Sequence, residues 1–312
     1  MRTSPLRALA SALLALALAA GATPPFPARG IAIVVPDAPG GESDGLARIL
    51  APALADVWGQ PVAVENVTGE GRESAAWRAS RASWDAYTLL LAPSATIEDP
   101  RVHYFASVTL VASSPLVVVA AAKSRLAGVA DLVKAARARP GKLAYAAVGS
   151  RRARGLAGEH FKAVAKVDLR RVEHPTAQEA LEAVAAGKAD VAFVPLRDAL
   201  AAVAGGKAKA LAVTGAARAH ALPKVPTVAE SGFERFEAVD WQGLMLPSAT
   251  PRPLVAAHNA GANKALALPG VREKIRALGL EPEGGSQTRL VDLIRMDREE
   301  WLKLAVPKDG KP

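Results

Sequence analysis

The chain has 312 residues, half of them apolar but only 4% aromatic, and it contains no cysteine. That length suits one large domain or two of moderate size, with a core built from Ala, Val and Leu; the missing thiol excludes a disulfide framework, a Cys-based metal site and a cysteine nucleophile. A formal charge of +9 first suggests nucleic acid. However, Lys and Arg are scattered and aromatics are sparse, so the charge reads as solvated surface that attracts anionic solutes, with no nucleic-acid partner.

The first segment reads as an export signal, not as fold. Arg2 and Arg7 precede the apolar run Ala8–Ala20, and Ala20-Gly21-Ala22 offers small residues for cleavage. The run falls short of the ~20 apolar residues a membrane span needs. Residues 1–22 are therefore expected to be removed. That leaves a mature chain of 9 − 2 = +7, located in a bacterial periplasm, where export without disulfides fits.

Strand and helix signals then alternate. Ile31–Val35 reads as a buried strand. Leu46, Ile49, Leu50, Leu54 and Val57 follow at helical spacing, then a strand at Val62–Glu65, a helix at Glu73–Ser83 and a strand at Tyr87–Ala92. The long apolar run Val108–Ala122 is interrupted by Ser113-Ser114-Pro115, where we place a crossing between lobes. Beyond it come a helix at Val129–Arg139, a strand at Leu143–Val148 and a helix from Leu156. Thr176-Ala177-Gln178-Glu179 forms a capping box that opens the next helix. A strand at Asp190–Val194, a helix at Leu196–Ala204 and a strand at Ala208–Val213 follow. The series closes with a strand around Trp241, helices at Leu254–Leu268 and Val271–Leu278, and a last helix with a stripe from Leu290 to Leu304. Alternating β and α units imply an α/β fold with largely parallel sheets and ligands at the carboxyl ends of strands.

Two strand–loop–helix units carry the candidate chemistry. Pro39-Gly40-Gly41-Glu42-Ser43-Asp44 is a Gly-rich turn at a helix start, where backbone N–H groups and the helix dipole receive an anion. Its alternative reading is a tight turn capped by Ser43 or Asp44. Val148-Gly149-Ser150-Arg151-Arg152-Ala153-Arg154-Gly155 is the second unit; its arginines are either a carboxylate clamp or a solvated basic loop. Facing each other across a cleft, the two loops would grip both ends of a dicarboxylate. Gly41-Glu42-Ser43-Asp44-Gly45 also matches the G-x-S-x-G nucleophile elbow, but only one strand precedes it. His103 and His174 sit in loops without triad context, while His160 and His258 read as surface or packing residues on helices. No histidine spacing suggests a metal, and no cofactor is implied.

Taken in order, several segments resemble the substrate-binding proteins of tripartite tricarboxylate transporters, the Bug receptor family. The family opening, roughly V-V-P-F-A-P-G-G-x-x-D, is matched by Val34-Val35-Pro36-Asp37-Ala38-Pro39-Gly40-Gly41-Glu42-Ser43-Asp44. Further matches are Gly59-Gln60-Pro61-Val62, Tyr87-Thr88-Leu89-Leu90, Leu211-Ala212-Val213-Thr214, Leu222–Glu230 and Trp241-Gln242-Gly243-Leu244. The resemblance implies a two-lobed periplasmic binding fold of type II-like character, each lobe a mostly parallel sheet flanked by helices and joined by crossing strands. Lobe 1 would hold residues 29–107 and 229–306, and lobe 2 residues 108–228. It implies a small organic acid as ligand, held by Ala38, Pro39, Gly40, Gly41, Ser43, Asp44 and Ser94 from one side and by Gly149, Ser150, Arg151, Arg152 and Arg154 from the other. It also implies a monomer that delivers this acid to membrane permease subunits and catalyses nothing. The three arginines replace small polar residues of the family pattern and point to a di- or tricarboxylate. The second reading is a ligand-sensing or interaction protein of the same fold that feeds a signalling system, or, since the second loop further departs from the pattern at Ala147, Arg151 and Gly155, a paralogue that has lost binding. A hydrolase using Ser43 is the third.

The signal reading has a direct test. N-terminal sequencing of protein recovered from the periplasm is expected to begin at or near Thr23; an intact, membrane-retained N-terminus would refute it.

Overall fold

Short apolar runs bounded by Gly and Pro become the strands of one mixed sheet. The computed structural model describes residues 26–71, 74–98, 100–148, 153–234 and 236–301. The first series runs β1 (Ile31–Val35), α1 (Glu42–Trp58), β2 (Val62–Asn66), α2 (Ala75–Ser80) and β3 (Thr88–Pro93). The long strand β4 (Phe105–Ala121) leads to α3 (Val129–Ala138), β5 (Ala144–Val148), α4 (Ala153–Ala165), β6 (Arg170–His174), α5 (Ala177–Ala185), β7 (Val191–Pro195), α6 (Leu196–Ala204) and β8 (Ala208–Val213). β9 (Val239–Pro247) then precedes α7 (Arg252–Ala267), α8 (Pro269–Ala277), β10 (Glu281–Pro282) and α9 (Gln287–Met296).

The strand order is β2-β1-β3-β9-β4-β7-β5-β6, with β8 and β10 added on β4. Pairing is parallel at both ends of this order, among β2-β1-β3 and among β7-β5-β6. Around β9 and β4 it is antiparallel. The α/β architecture is thus as expected, with an antiparallel centre that the alternating pattern did not disclose.

Ser113-Ser114-Pro115 does not interrupt the strand. β4 runs through it for 17 residues and changes partners instead. Phe105–Pro115 pair with β9, ending at Pro115 opposite Val239, while Leu116–Ala121 lie between β7 and β8. Proline has no N–H to give a ladder, which suits the residue at the change. The buried side chains divide in the same place. Two clusters draw on residues 26–112 and 239–296, including Ile33, Leu50, Leu89 and Leu244 around α1. Two others draw on 116–238, including Val118, Tyr145, Phe161 and Phe193.

The hydroxyl of Thr214, just past β8, joins the strands at this point. It accepts from Leu116 N at 2.8 Å and donates to Ala238 O at 2.6 Å, with no solvent exposure. Two strands had no signal in the sequence. β6, Arg-Arg-Val-Glu-His, sits at the end of the strand order, where charged side chains guard a free edge and no apolar run marks it. β10 is two residues long. The helix expected over 73–83 covers only Ala75–Ser80, with Ser74 as N-cap accepting from Trp77 N.

His258 on α7 is a packing residue, as expected, and it is fully buried. Its Nε2 donates to Ala86 O at 2.8 Å, and Ala86 holds a left-handed φ of 67°. Phe26 and Trp58 meet the imidazole edge-on. Burial lowers its pKa from 6.5 to about 4. Between these values the unfolded chain takes up a proton that the folded chain refuses, so stability is full above 6.5 and is lost as pH falls towards 4. The whole shift corresponds to about 3 kcal/mol. Urea unfolding of the protein is expected to show that slope. His258→Gln, which keeps a donor for Ala86, is expected to flatten it; equal slopes in both proteins would exclude His258 as the cause.

Candidate functional site

The site forms where β1, β2 and β3, in parallel register, all end. Loops leaving one end of parallel strands make a natural crevice for a ligand. Here a cavity of about 370 Å³ is lined by Pro36, Gly69–Gly71, Ser74–Ala76, Leu90, Pro93, Ala95 and Thr96.

The β1–α1 loop is held from within by its own charges. Asp44 is buried, and Oδ2 accepts from Gly40 N at 2.8 Å and from Arg48 Nε at 2.9 Å. Its Oδ1 takes Asn66 Nδ2 at 2.9 Å and Arg48 Nη2 at 2.8 Å. Hydrogen bonds from Arg48, Gly40 and Asn66, in that order, hold the carboxyl well below the usual carboxylate range. Asn66 also donates to Asp37 O at 2.8 Å. Gly40 has φ +90°, a conformation open to glycine, and the tip Ala38-Pro39-Gly40 is exposed.

Neither Ser43 nor Asp44 caps α1. The N-cap is Gly41, which offers no side chain, and Asp37 caps from outside: its Oδ2 accepts from Ser43 N at 2.7 Å. A Cβ on Gly41 would lie 2.7 Å from Asp37 Cβ, so glycine is what lets this carboxylate reach the helix. Ser43 is buried in the first turn, and its Oγ donates to Gln242 Oε1 at 3.2 Å. A nucleophile elbow needs its serine exposed on a strained turn. Ser43 is instead helical and buried, and among the described non-glycine residues only Ala86 and Lys166 have positive φ. The G-x-S-x-G match is a coincidence of spacing.

Ser94 opens the 3₁₀ turn Ser94–Glu98 after β3, and its Oγ donates to Asp240 Oδ1 at 3.4 Å. Gln242 Nε2 donates to Glu42 Oε1 at 3.2 Å. β9 therefore brings the Ser94 and Ser43 regions together through Asp240 and Gln242, which share one face. Trp241 between them faces the other way, where its indole donates to Asp297 Oδ2 at 2.6 Å. Asp37, Asp240 and Gln242 were missed as site residues. The signal for the β9 pair was present in strand alternation about Trp241.

The second candidate loop is not placed. Gly149, Ser150, Arg151, Arg152 and the side chain of Arg154 lie outside the described residues, so its arginines carry no geometry. What is described is its frame. β5 ends at Val148 and α4 starts at Ala153, where Gly158 lets Tyr145 lie against the helix: a Cβ there would come 2.1 Å from the ring. The capping box on α5 is as expected, with Thr176 Oγ1 accepting from Glu179 N at 3.2 Å. Among the described residues no group of three His, Asp or Glu is arranged to hold a metal ion.

The sequence model of the tripartite tricarboxylate transporter family receptor, TctC, matches residues 46–306. A curated protein of Pseudomonas sp. (strain P51), the UPF0065 protein in the tcbD–tcbE intergenic region, is 36% identical over 90% of this chain and 87% of its own length. In structure, a TctC solute-binding protein from Polaromonas, without ligand, aligns with a TM-score of 0.80 at 20% identity, covering 89% of this chain and 98% of its own. The R. palustris protein Rpa4515, with adipate, aligns at 0.58 with 28% identity, covering 90% and 97%.

Ser43→Ala tests the role read from this geometry. It leaves Gln242 Oε1 without its buried donor and is expected to lower stability in urea by about 1–3 kcal/mol. Assayed with p-nitrophenyl acetate, both proteins are expected to show the same background rate. Ester cleavage that vanishes in the variant would overturn the reading of Ser43.

Proposed function

The chain belongs to the tripartite tricarboxylate transporter receptor family, and from that premise we propose that it captures a small organic carboxylate between two lobes and delivers it to membrane permease subunits. The observation that carries this reading is the braced β1–α1 loop. Its tip, Ala38–Gly40, is exposed beside a cavity at the carboxyl ends of three parallel strands, and the loop is fixed from within by Asp44. Preorganisation of this kind lowers the entropic cost of binding.

The lobes in this proposal meet where β4 exchanges β9 for β7 and β8. Their junctions are Pro115–Leu116 and Ala238–Val239, and the separate core clusters support this division. It lies eight and ten residues beyond the boundaries expected from the sequence, at 107/108 and 228/229. Two strand crossings close together make a hinge of few residues, the form in which domain closure is usually accommodated. The Rpa4515 relative with adipate supports a small organic acid as the ligand class, without its α,ω placement of carboxylates. A preference for several carboxylates would come from Arg151, Arg152 and Arg154, and single changes to Ser read it out as lost affinity and lost salt dependence.

Delivery across a periplasm fits the family and the export signal read at Met1–Ala22. No described helix is long and apolar enough to cross a membrane. We propose that the mature receptor acts as a monomer.

Thermal-shift screening of the mature protein against aliphatic and aromatic acids tests the proposal. At 100 times Kd a true ligand adds about 2.7 kcal/mol of stability, and small-angle scattering with that ligand is expected to give a smaller radius of gyration. Binding without compaction would refute the hinge; stabilisation by no acid would refute the receptor reading.

A further inference from the structure

The anion seat offered by the start of α1 already has an occupant. A ligand carboxylate seated on Ser43 N would need that N–H unpaired. Ser43 N instead donates to Asp37 Oδ2 at 2.7 Å, and Gly40 N donates to Asp44 Oδ2 at 2.8 Å. Both acceptors are full carboxylates of the chain itself. Gly41 N is used as well, by Ala38 O at 3.0 Å.

Among the described residues, the surroundings add acid. Glu42 and Asp240 flank the loop through Gln242 and Ser94. Among the described residues, the charged group lining the adjoining cavity is Glu70. Of the described arginines, Arg48 and Arg101 are both engaged. Arg48 is paired with Asp44 at 2.8 Å. Arg101 donates to Gly71 O at 2.5 Å and lies over Trp77, 5.6 Å from the ring centroid. A second carboxylate brought to Ser43 N would meet the like charge of Asp37, an unfavourable arrangement.

We infer that Asp37 is a specificity-determining residue that keeps ligand carboxylates away from the α1 end of the cleft, so the ligand carries all its anionic groups at its other end. This inference rests on the receptor reading and narrows it. Linear α,ω-dicarboxylates, which a clamp between two anion seats would favour, are rejected. Acids with a neutral or hydrogen-bond-donating tail are accepted, and so are acids whose carboxylates are clustered at one end. Asp37 acts here by charge and by occupancy: its carboxylate fills the place a ligand oxygen would take on Ser43 N.

Adipate and hexanoate differ only in the second terminal carboxylate and are the probes. Their affinities for the mature wild-type protein, Asp37→Ala and Asp37→Asn are measured by calorimetry at low and high salt. In Asp37→Ala, the ratio of adipate to hexanoate affinity is expected to rise at least about tenfold over wild type. Asp37→Asn keeps an acceptor for Ser43 N and removes only the charge, so it folds even where the alanine variant does not. It is expected to improve adipate by about threefold or more at low salt, less at high salt. No selective gain for adipate in either variant, in a protein that is stabilised by other acids, overturns the role of Asp37 and leaves the receptor reading standing. If no carboxylate, citrate and malate included, binds wild type or either variant, the receptor reading falls and the role of Asp37 with it.

Discussion

One buried hydroxyl ties together the point on which the architecture depends. Thr214 Oγ1 accepts the N–H of Leu116, where β4 begins its second set of partners, and donates to Ala238, the last residue before β9. Thr214 N and O extend the same stitch to Leu116 O and Ala238 N. A buried amide left without an acceptor costs about 1–3 kcal/mol, so this crossing is fixed in register rather than merely packed. Nearby, Ser113 donates to Glu283 at 2.6 Å, and burial raises the Glu283 carboxyl above its ordinary range. Arg289 on α9 clasps Glu237 with both ends of its guanidinium. The polar groups gathered here are hydrogen-bonded or ion-paired, as a change of partners inside a sheet requires.

The same economy governs the β1–α1 loop. A Gly-rich turn is pliable by nature, yet here two aspartates, one asparagine and one arginine fix it through backbone and side-chain bonds. Rigidity is therefore supplied by the chain, and so is negative charge. An anion-receiving motif that carries its own anions has a different preference from one that is empty, and the difference lies in Asp37 rather than in the glycines.

Much of this fold was legible because the signals were local. Buried strands such as Ile31–Val35 and Ala208–Val213 show as short apolar runs, and Thr176 announces its helix by capping chemistry. β6 was not legible, because an edge strand of Arg, Glu and His carries no apolar signal. The continuity of β4 through Ser-Ser-Pro was misread because those residues ordinarily mark turns, whereas here the serines are buried in pairing. In the site, exposed Ala38–Gly40 and buried Ser43 could be located from the motif alone. The direction of their hydrogen bonds could not, because Gln242 lies 199 residues from Ser43. Asp37 did leave a trace, as an acid where the family string has Phe.

The unbroken run of β4 has a thermodynamic consequence. Residues 105–115 complete one core and residues 116–121 the other, so a single strand is the wall of both. Neither half can lose its share of that strand without exposing the ladder of its neighbour. Units that share a central strand open together rather than one after the other. The molecule should therefore melt in a single cooperative step despite its two cores, with the amides of β4 the last to exchange with solvent. The same sharing means that a cut within residues 105–121 yields two fragments that each lack a strand, so neither is a self-sufficient folding unit.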